Sequence, residues 1–227
     1  VSGDRRSAVS LAADVARLLP EGVLTAAACI DHEPALRHEA ERACVSRAVE
    51  KRRQEFATGR ALAHELLSRL GVPDLPLLPA ERRAPAWPEG VVGSISHGAG
   101  LCVVAVAQPG TCTALGLDIE GDAPLKRKLW RHILREEEQR ELSELPDDEA
   151  GRRAKLVFSA KECFYKALSS QLTRVLAFEE VRLTIEDDGH FSGELLVDDA
   201  GLVLDQPLSG CWSRNDGVVL STLAATP

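Results

Sequence analysis

The chain is short of several things that would have placed it at once. No apolar stretch approaches the roughly 20 residues that a membrane-spanning helix needs; the longest candidate is Leu101 to Ala107. The N-terminal stretch carries Asp4, Arg5 and Arg6 and then turns amphipathic, with no continuous apolar core of the signal-peptide kind. Positive charge is not in excess. Lys+Arg 27 against Asp+Glu 35 leaves a net charge of −8, which excludes a general binder of nucleic-acid backbone while allowing one local basic pocket. The six cysteines are scattered, with no C-x-x-C pair, and this argues against a zinc site. Without a secretion signal they read as reduced thiols of a cytoplasmic protein. Neither a phosphate-binding G-x-x-x-x-G-K-[ST] loop nor a G-x-G-x-x-G turn occurs, which disfavours ordinary nucleotide hydrolases and dinucleotide-binding folds.

What remains is a globular chain of 227 residues, 44% hydrophobic and 27% charged, long enough for one large domain or two small ones. Asp4 to Leu19 predicts a helix stopped by Pro20, and Val23 to Ile30 a strand. Pro34 to Leu70 is helical in pattern and is closed by Gly71 and Pro73. A proline-rich loop follows. Val91 to Ile95 and Leu101 to Ala107 read as strands around a turn at His97–Gly98, and Ala114 to Glu120 as the next strand. Pro124 to Leu145 and Asp148 to Leu168 read as helices. Four short strands with Asp-Gly or Asn-Asp-Gly turns complete the chain. The class is α+β, with a division near Thr113 to Gly116 into residues 1–115 and 116–227.

Four segments could carry chemistry. In Gly116-Leu117-Asp118-Ile119-Glu120, strand alternation puts Leu115, Leu117 and Ile119 on one face and Asp118 and Glu120 on the other. Two such carboxylates reach a single hard cation, although composition alone gives acid-x-acid roughly five times in a chain like this. Glu162 and Lys166 are one helical turn apart among Phe158, Phe164 and Tyr165. They are either a surface ion pair or a metal ligand or base beside a phosphate-binding cation. Ser94, Ser96 and His97 end a strand before glycine, where hydroxyl, imidazole and backbone N–H groups can hold an oxyanion. A Ser–His nucleophilic dyad fits poorly, because adjacent strand residues point apart. Arg53 and Arg60 share a helix face and suit phosphate, as do Arg82 and Arg83 before Trp87; a solvated basic face is the commoner case. Together the segments describe a site for a small polyphosphate and Mg²⁺.

In this order the motifs resemble those of the 4'-phosphopantetheinyl transferases, of the long surfactin-synthetase-activating type and its enterobactin-synthetase-activating branch. The resemblance rests on Phe56–Ala63, Pro85–His97, Leu115–Glu120 and Phe158–Lys166. It implies a monomer of two similar α+β halves related by a pseudo-twofold axis, with mostly antiparallel sheets packed by helices. The halves would be 1–115, contacting coenzyme A, and 116–227, carrying the metal carboxylates. It further implies transfer of the 4'-phosphopantetheine arm from coenzyme A to a serine of an acyl or peptidyl carrier protein. Asp118, Glu120 and Glu162 would hold Mg²⁺, or Mn²⁺; Lys166 would contact the diphosphate; Arg53, Arg60, Arg83, Ser96 and His97 would hold coenzyme A. Glu162 is the expected base and Glu120 the second choice. Lys126, Arg127, Lys128 and Arg131 offer a basic patch for an acidic carrier, or a solvated helix face. The rival classes are a non-catalytic coenzyme A binder and a metal-dependent phosphohydrolase.

Overall fold

The computed structural model describes residues 2–80, 84–198, 201–202, 204 and 206–227, with side chains from residue 8 onward. The first half holds helix α1 (Ser2–Arg17), strand β1 (Leu24–Cys29), helices α2 (Glu39–Val45) and α3 (Glu50–Arg69), and strands β2 (Val92–Gly98) and β3 (Leu101–Ala107). The second holds β4 (Ala114–Gly121), helices α4 (Arg127–Ile133), α5 (Glu136–Ser143) and α6 (Asp147–Leu168), and strands β5 (Val181–Ile185), β6 (His190–Leu195), β7 (Leu208–Asn215) and β8 (Val218–Ala225). Among the described residues the strands form two antiparallel sheets, ordered β1-β3-β2 and β4-β8-β7-β6-β5. The topology repeats: in each half the first strand pairs with the last, and a long helix separates them in sequence. The α+β class and the two helix-packed sheets are as the sequence led us to expect.

Two helical stretches are broken where periodicity alone ran on. Val49 takes an extended backbone (φ −63, ψ 154) and separates α2 from α3. Leu134 and Arg135 are extended and separate α4 from α5. The end of α3 falls where glycine and proline place it. Gly71 is left-handed (φ 75), its N–H meets Ser68 O at 3.0 Å, and Val72 N–H meets Leu67 O at 3.0 Å. This double closure is a Schellman motif. Aspartates 147 and 148 and Glu149 fill the first turn of α6, where negative charge offsets the helix dipole.

The turn expected at His97–Gly98 lies two residues later. Ala99 (φ 53) and Gly100 (φ 78) make the tight hairpin turn between β2 and β3, and His97 pairs with Cys102 inside the ladder. Gly98 is needed for another reason. A Cβ there would lie 2.2 Å from the carbonyl oxygen of Ile119, so only glycine lets β2 lie this close to β4.

That contact is the seam between the halves. Strands β2 and β4 are edge strands of different sheets and share no ladder. Instead, Leu117 N–H donates to Ser94 Oγ at 3.0 Å and Ile119 N–H to Ser96 Oγ at 3.2 Å. Both serines are buried. Their hydroxyls take the place of the carbonyls that a neighbouring strand would supply. Behind the seam, Leu11, Val15 and Leu19 pack on Val103 and Ala105 of the first sheet and on Leu115, Leu117, Ile119 and Leu220 of the second. The opposite face of β3 packs under α3 through Val104, Val106, Ala63 and Leu66. Helix α6 packs on the larger sheet through Ala160, Phe164, Ala167 and Phe191.

Replacing Ser94 by alanine leaves the Leu117 N–H without a partner in a buried contact. The expected cost is about 1–3 kcal/mol, read as a lower urea midpoint with an unchanged slope. Stability equal to that of the parent chain would mean that water reaches the seam.

Candidate active site

The seam brings residues from both halves to one cavity of about 270 Å³, lined by Ser96, His97, Asp118, Glu120, Glu162 and Lys166 with Ile95 and Phe158. Strand alternation in β4 puts Asp118 and Glu120 on one face, as expected, and the fold turns that face towards α6. Gly116 permits the close approach, since a Cβ there would lie 2.1 Å from the Cys163 carbonyl oxygen. Helix α6 then sets Glu162 and Lys166 over the strand.

The centre is tightly bonded. Lys166 Nζ donates to Asp118 Oδ1 at 2.7 Å and to Ser96 Oγ at 2.9 Å, and Ser96 Oγ donates to Asp118 Oδ1 at 3.1 Å. Asp118 is 3% exposed, and its second oxygen, Oδ2, is buried with no hydrogen-bond partner. A carboxylate oxygen left so costs stability unless something binds it. Glu120 Oε2 accepts from Lys155 Nζ at 3.0 Å. With a lysine on each of the two strand carboxylates, Asp118, Glu120 and Glu162 do not bring one oxygen each within 4.8 Å of one another among the described residues. They share the cavity, and a lysine of α6 pairs with each of the two strand carboxylates.

Protonation follows from these surroundings. Burial is the main force raising the Glu162 carboxyl above its ordinary value; Lys166 opposes it, and Asp118 and Glu120 add to it. Burial lowers Lys166, but Asp118 and Glu162 outweigh it and the ammonium is held above its usual range. His97 is lowered, first by burial and further by Arg52 and Lys166, against Glu55. The Arg52 guanidinium lies 3.1 Å from His97 Nε2, so that nitrogen accepts and the ring is neutral.

Two grooves continue the cavity. One, of about 440 Å³, is lined by Arg52, Phe56, Arg60 and His97. Arg60 is buried, donates to Leu77 O at 2.6 Å and lies 4.3 Å over the Phe56 ring; burial lowers it to about 10, with Glu41 in opposition. The other groove, of about 420 Å³, runs between Trp87, Tyr165, Leu172 and Phe178 and shares Glu162 and Lys166 with the cavity. Arg53 is paired with Glu33 at 3.0 Å and lines neither groove. Arg83 lies outside the described residues. Lys155 and Arg52 were not singled out from the sequence as site residues. Lys155 could have been, because it precedes Glu162 by seven residues and so shares its helix face; Arg52 loses to Arg53 on spacing to Arg60, and only the tertiary fold reverses the order.

Comparison with known proteins gives the class. Residues 40–107 match the family model for the 4'-phosphopantetheinyl transferase N-terminal domain, and residues 114–222 that of the 4'-phosphopantetheinyl transferase superfamily. The chain is 38% identical to a 4'-phosphopantetheinyl transferase of Streptomyces mobaraensis over 92% of its own length and 88% of that protein. It is 36% identical to one of Nocardia iowensis, over 91% and 97%. Identity to enterobactin synthase component D of Salmonella typhi is 30%, over 77% and 73%. Holo-[acyl-carrier-protein] synthase of Thermotoga maritima overlaps 51% of this chain and 65% of that one at 17% identity and a TM-score of 0.34, a partial likeness that carries no weight here. The chain belongs to the 4'-phosphopantetheinyl transferases, enzymes that transfer phosphopantetheine. No helix among the described residues is long and apolar enough to cross a membrane.

The raised carboxyl of Glu162 fixes the sign of a stability effect. A group raised on folding favours the folded state while it is protonated and opposes it once pH climbs through its folded value. Glu162→Gln should therefore melt higher than the parent chain at neutral pH in metal-free buffer. The difference should vanish below the ordinary carboxylate range. A lower melting temperature at neutral pH would contradict the burial argument.

Proposed function

We propose that this enzyme moves the 4'-phosphopantetheine arm of coenzyme A to a serine of an acyl or peptidyl carrier protein, leaving adenosine 3',5'-bisphosphate. One observation carries the reading: three adjoining cavities share Ile95, and His97, Glu162 and Lys166 join them into one trough. The trough is cationic at the Arg52 and Arg60 end, carboxylate-rich at its centre and apolar at the Trp87 and Tyr165 end. Coenzyme A has the same order of chemistry, with phosphates on its nucleotide, a diphosphate, then an uncharged arm.

In this reading Arg60 and Arg52 take the nucleotide phosphates, and Arg53 joins them only by leaving Glu33. His97, Ser96 and Lys166 hold the diphosphate. The carrier serine oxygen bonds to the phosphorus on the pantetheine side while that phosphorus releases the bridging oxygen. The serine proton passes to Glu162, whose raised carboxyl suits a base, with Glu120 the second candidate. Lys166, held protonated, offsets charge on the phosphoryl oxygens. The all-oxygen donor set of Asp118, Glu120 and Glu162, with the orphaned Asp118 Oδ2, fits Mg²⁺ or Mn²⁺. When bound, such an ion neutralises charge that grows on the departing bisphosphate. Holding the ion would require Asp118 and Glu120 to part from Lys166 and Lys155, which would free Lys166 for a phosphate oxygen. Six unbridged cysteines support a reducing, cytoplasmic setting.

Intact-mass analysis tests the reaction: an apo-carrier with coenzyme A and Mg²⁺ should gain one arm, and a chelator should abolish the gain. Unmodified carrier with degraded coenzyme A would mean a hydrolase; no change in either would mean a binder. Asp118→Asn should lose at least about a hundredfold in transfer while keeping its fold. The alanine variant is a poorer test, since it also removes the oxygen that accepts from Lys166 and Ser96.

Carrier docking is assigned to α4. Trp130 is buried beneath Arg127, whose guanidinium lies 4.7 Å over its ring, while Leu129 is 38% exposed beside Lys126 and Lys128. Charge reversal at Lys126 and Lys128 should raise KM for an acidic carrier several-fold, with KM for coenzyme A unchanged. Equal effects on both substrates would move docking elsewhere.

A further inference from the structure

Behind the trough, α2, α3 and the proline-rich loop meet at a polar knot that the transfer reaction does not use. Glu41 of α2 and His64 of α3 are buried there, 0% and 4% exposed. Glu41 Oε1 accepts Leu77 N–H at 2.9 Å and stands 2.7 Å from His64 Nε2. A carboxylate oxygen that already accepts from an amide is an acceptor for the imidazole too, so His64 Nε2 carries a proton. His64 Nδ1 faces Asp74, 3.5 Å from Asp74 Oδ1. The same Asp74 oxygen stands 3.1 Å from Nε2 of His38, the residue just before α2.

Either a ring proton or a metal ion can bridge these nitrogens and the Asp74 carboxylate. One donor atom from each of His38, His64 and Asp74 lies within 4.8 Å of the others. Four-coordinate Zn²⁺, with ligands at 2.0–2.1 Å, spaces neighbouring donors by about 3.3 Å. The 3.1 and 3.5 Å separations bracket that value. A carboxylate behind the imidazole, as Glu41 stands behind His64, is the arrangement that fixes tautomer and direction in metal-binding histidines. Two nitrogen donors and one oxygen suit zinc-like ions over magnesium.

We propose that His38, His64 and Asp74 form a zinc-type metal site with Glu41 orienting His64 and the fourth position open to solvent. The ligands are distant in sequence, so cysteine spacing, which argued against zinc, could not reveal it. The ion would tie the start of α2 and the proline-rich loop to α3, one turn beyond Arg60, whose side chain holds the same loop at Leu77. The inference does not depend on the transfer reaction.

The full chain, in excess Mg²⁺ to occupy the carboxylate cavity, is titrated with Co²⁺ and then Zn²⁺. One Co²⁺ per chain should give the intense visible absorption of a four-coordinate site, which Zn²⁺ then removes. His38→Ala and Asp74→Asn change half-buried or exposed residues, so urea unfolding should show the fold retained; each should weaken binding at least about tenfold. Glu41→Gln should weaken it by about 10–100-fold. Absence of the absorption, or affinity in His38→Ala and Asp74→Asn equal to that of the parent chain, would overturn the proposal.

Discussion

The structure turns on two hydroxyl groups. Ser94 and Ser96 accept backbone N–H groups of β4 across a gap where no strand ladder exists. This joins two sheets without merging them, and it leaves β4 free to pair with β8 on its other side. Ser96 has a double duty, since its hydroxyl also meets Asp118 and Lys166. The contact that joins the halves is thus part of the site, and the site exists only where the halves meet.

At that place the charges are arranged against one another. Asp118 is buried with Lys166 as its counter-ion, and Glu120 is covered by Lys155. A carboxylate such as Glu162, raised chiefly by burial, weakens the fold at neutral pH. Such strain is expected where a group must bind or accept something. The two lysines of α6 neutralise the two strand carboxylates within the fold.

Much of this was legible in the sequence, for identifiable reasons. Period-two alternation in β4 and the four-residue step in α6 are local rules, so Asp118, Glu120, Glu162 and Lys166 could be found and oriented from the chain alone. Gly71 and Pro73 marked a helix end for the same reason. Less was visible where tertiary contact decides. Gly98 reads as a turn residue, yet its role is to admit the Ile119 carbonyl, and the turn itself falls on Ala99–Gly100. Arg53 has the better spacing to Arg60, but Glu33 captures it and Arg52 faces His97. The breaks at Val49 and Leu134–Arg135 carry no glycine or proline, so no local signal announced them. The polar knot at His64 joins three segments that only the fold brings together.

The placement of α1 has a consequence for motion. Leu11, Val15 and Leu19 bind both sheets from the rear, so the two-part molecule is clamped on the side away from its trough. Bending the two sheets about their seam would have to pull apart this rear packing.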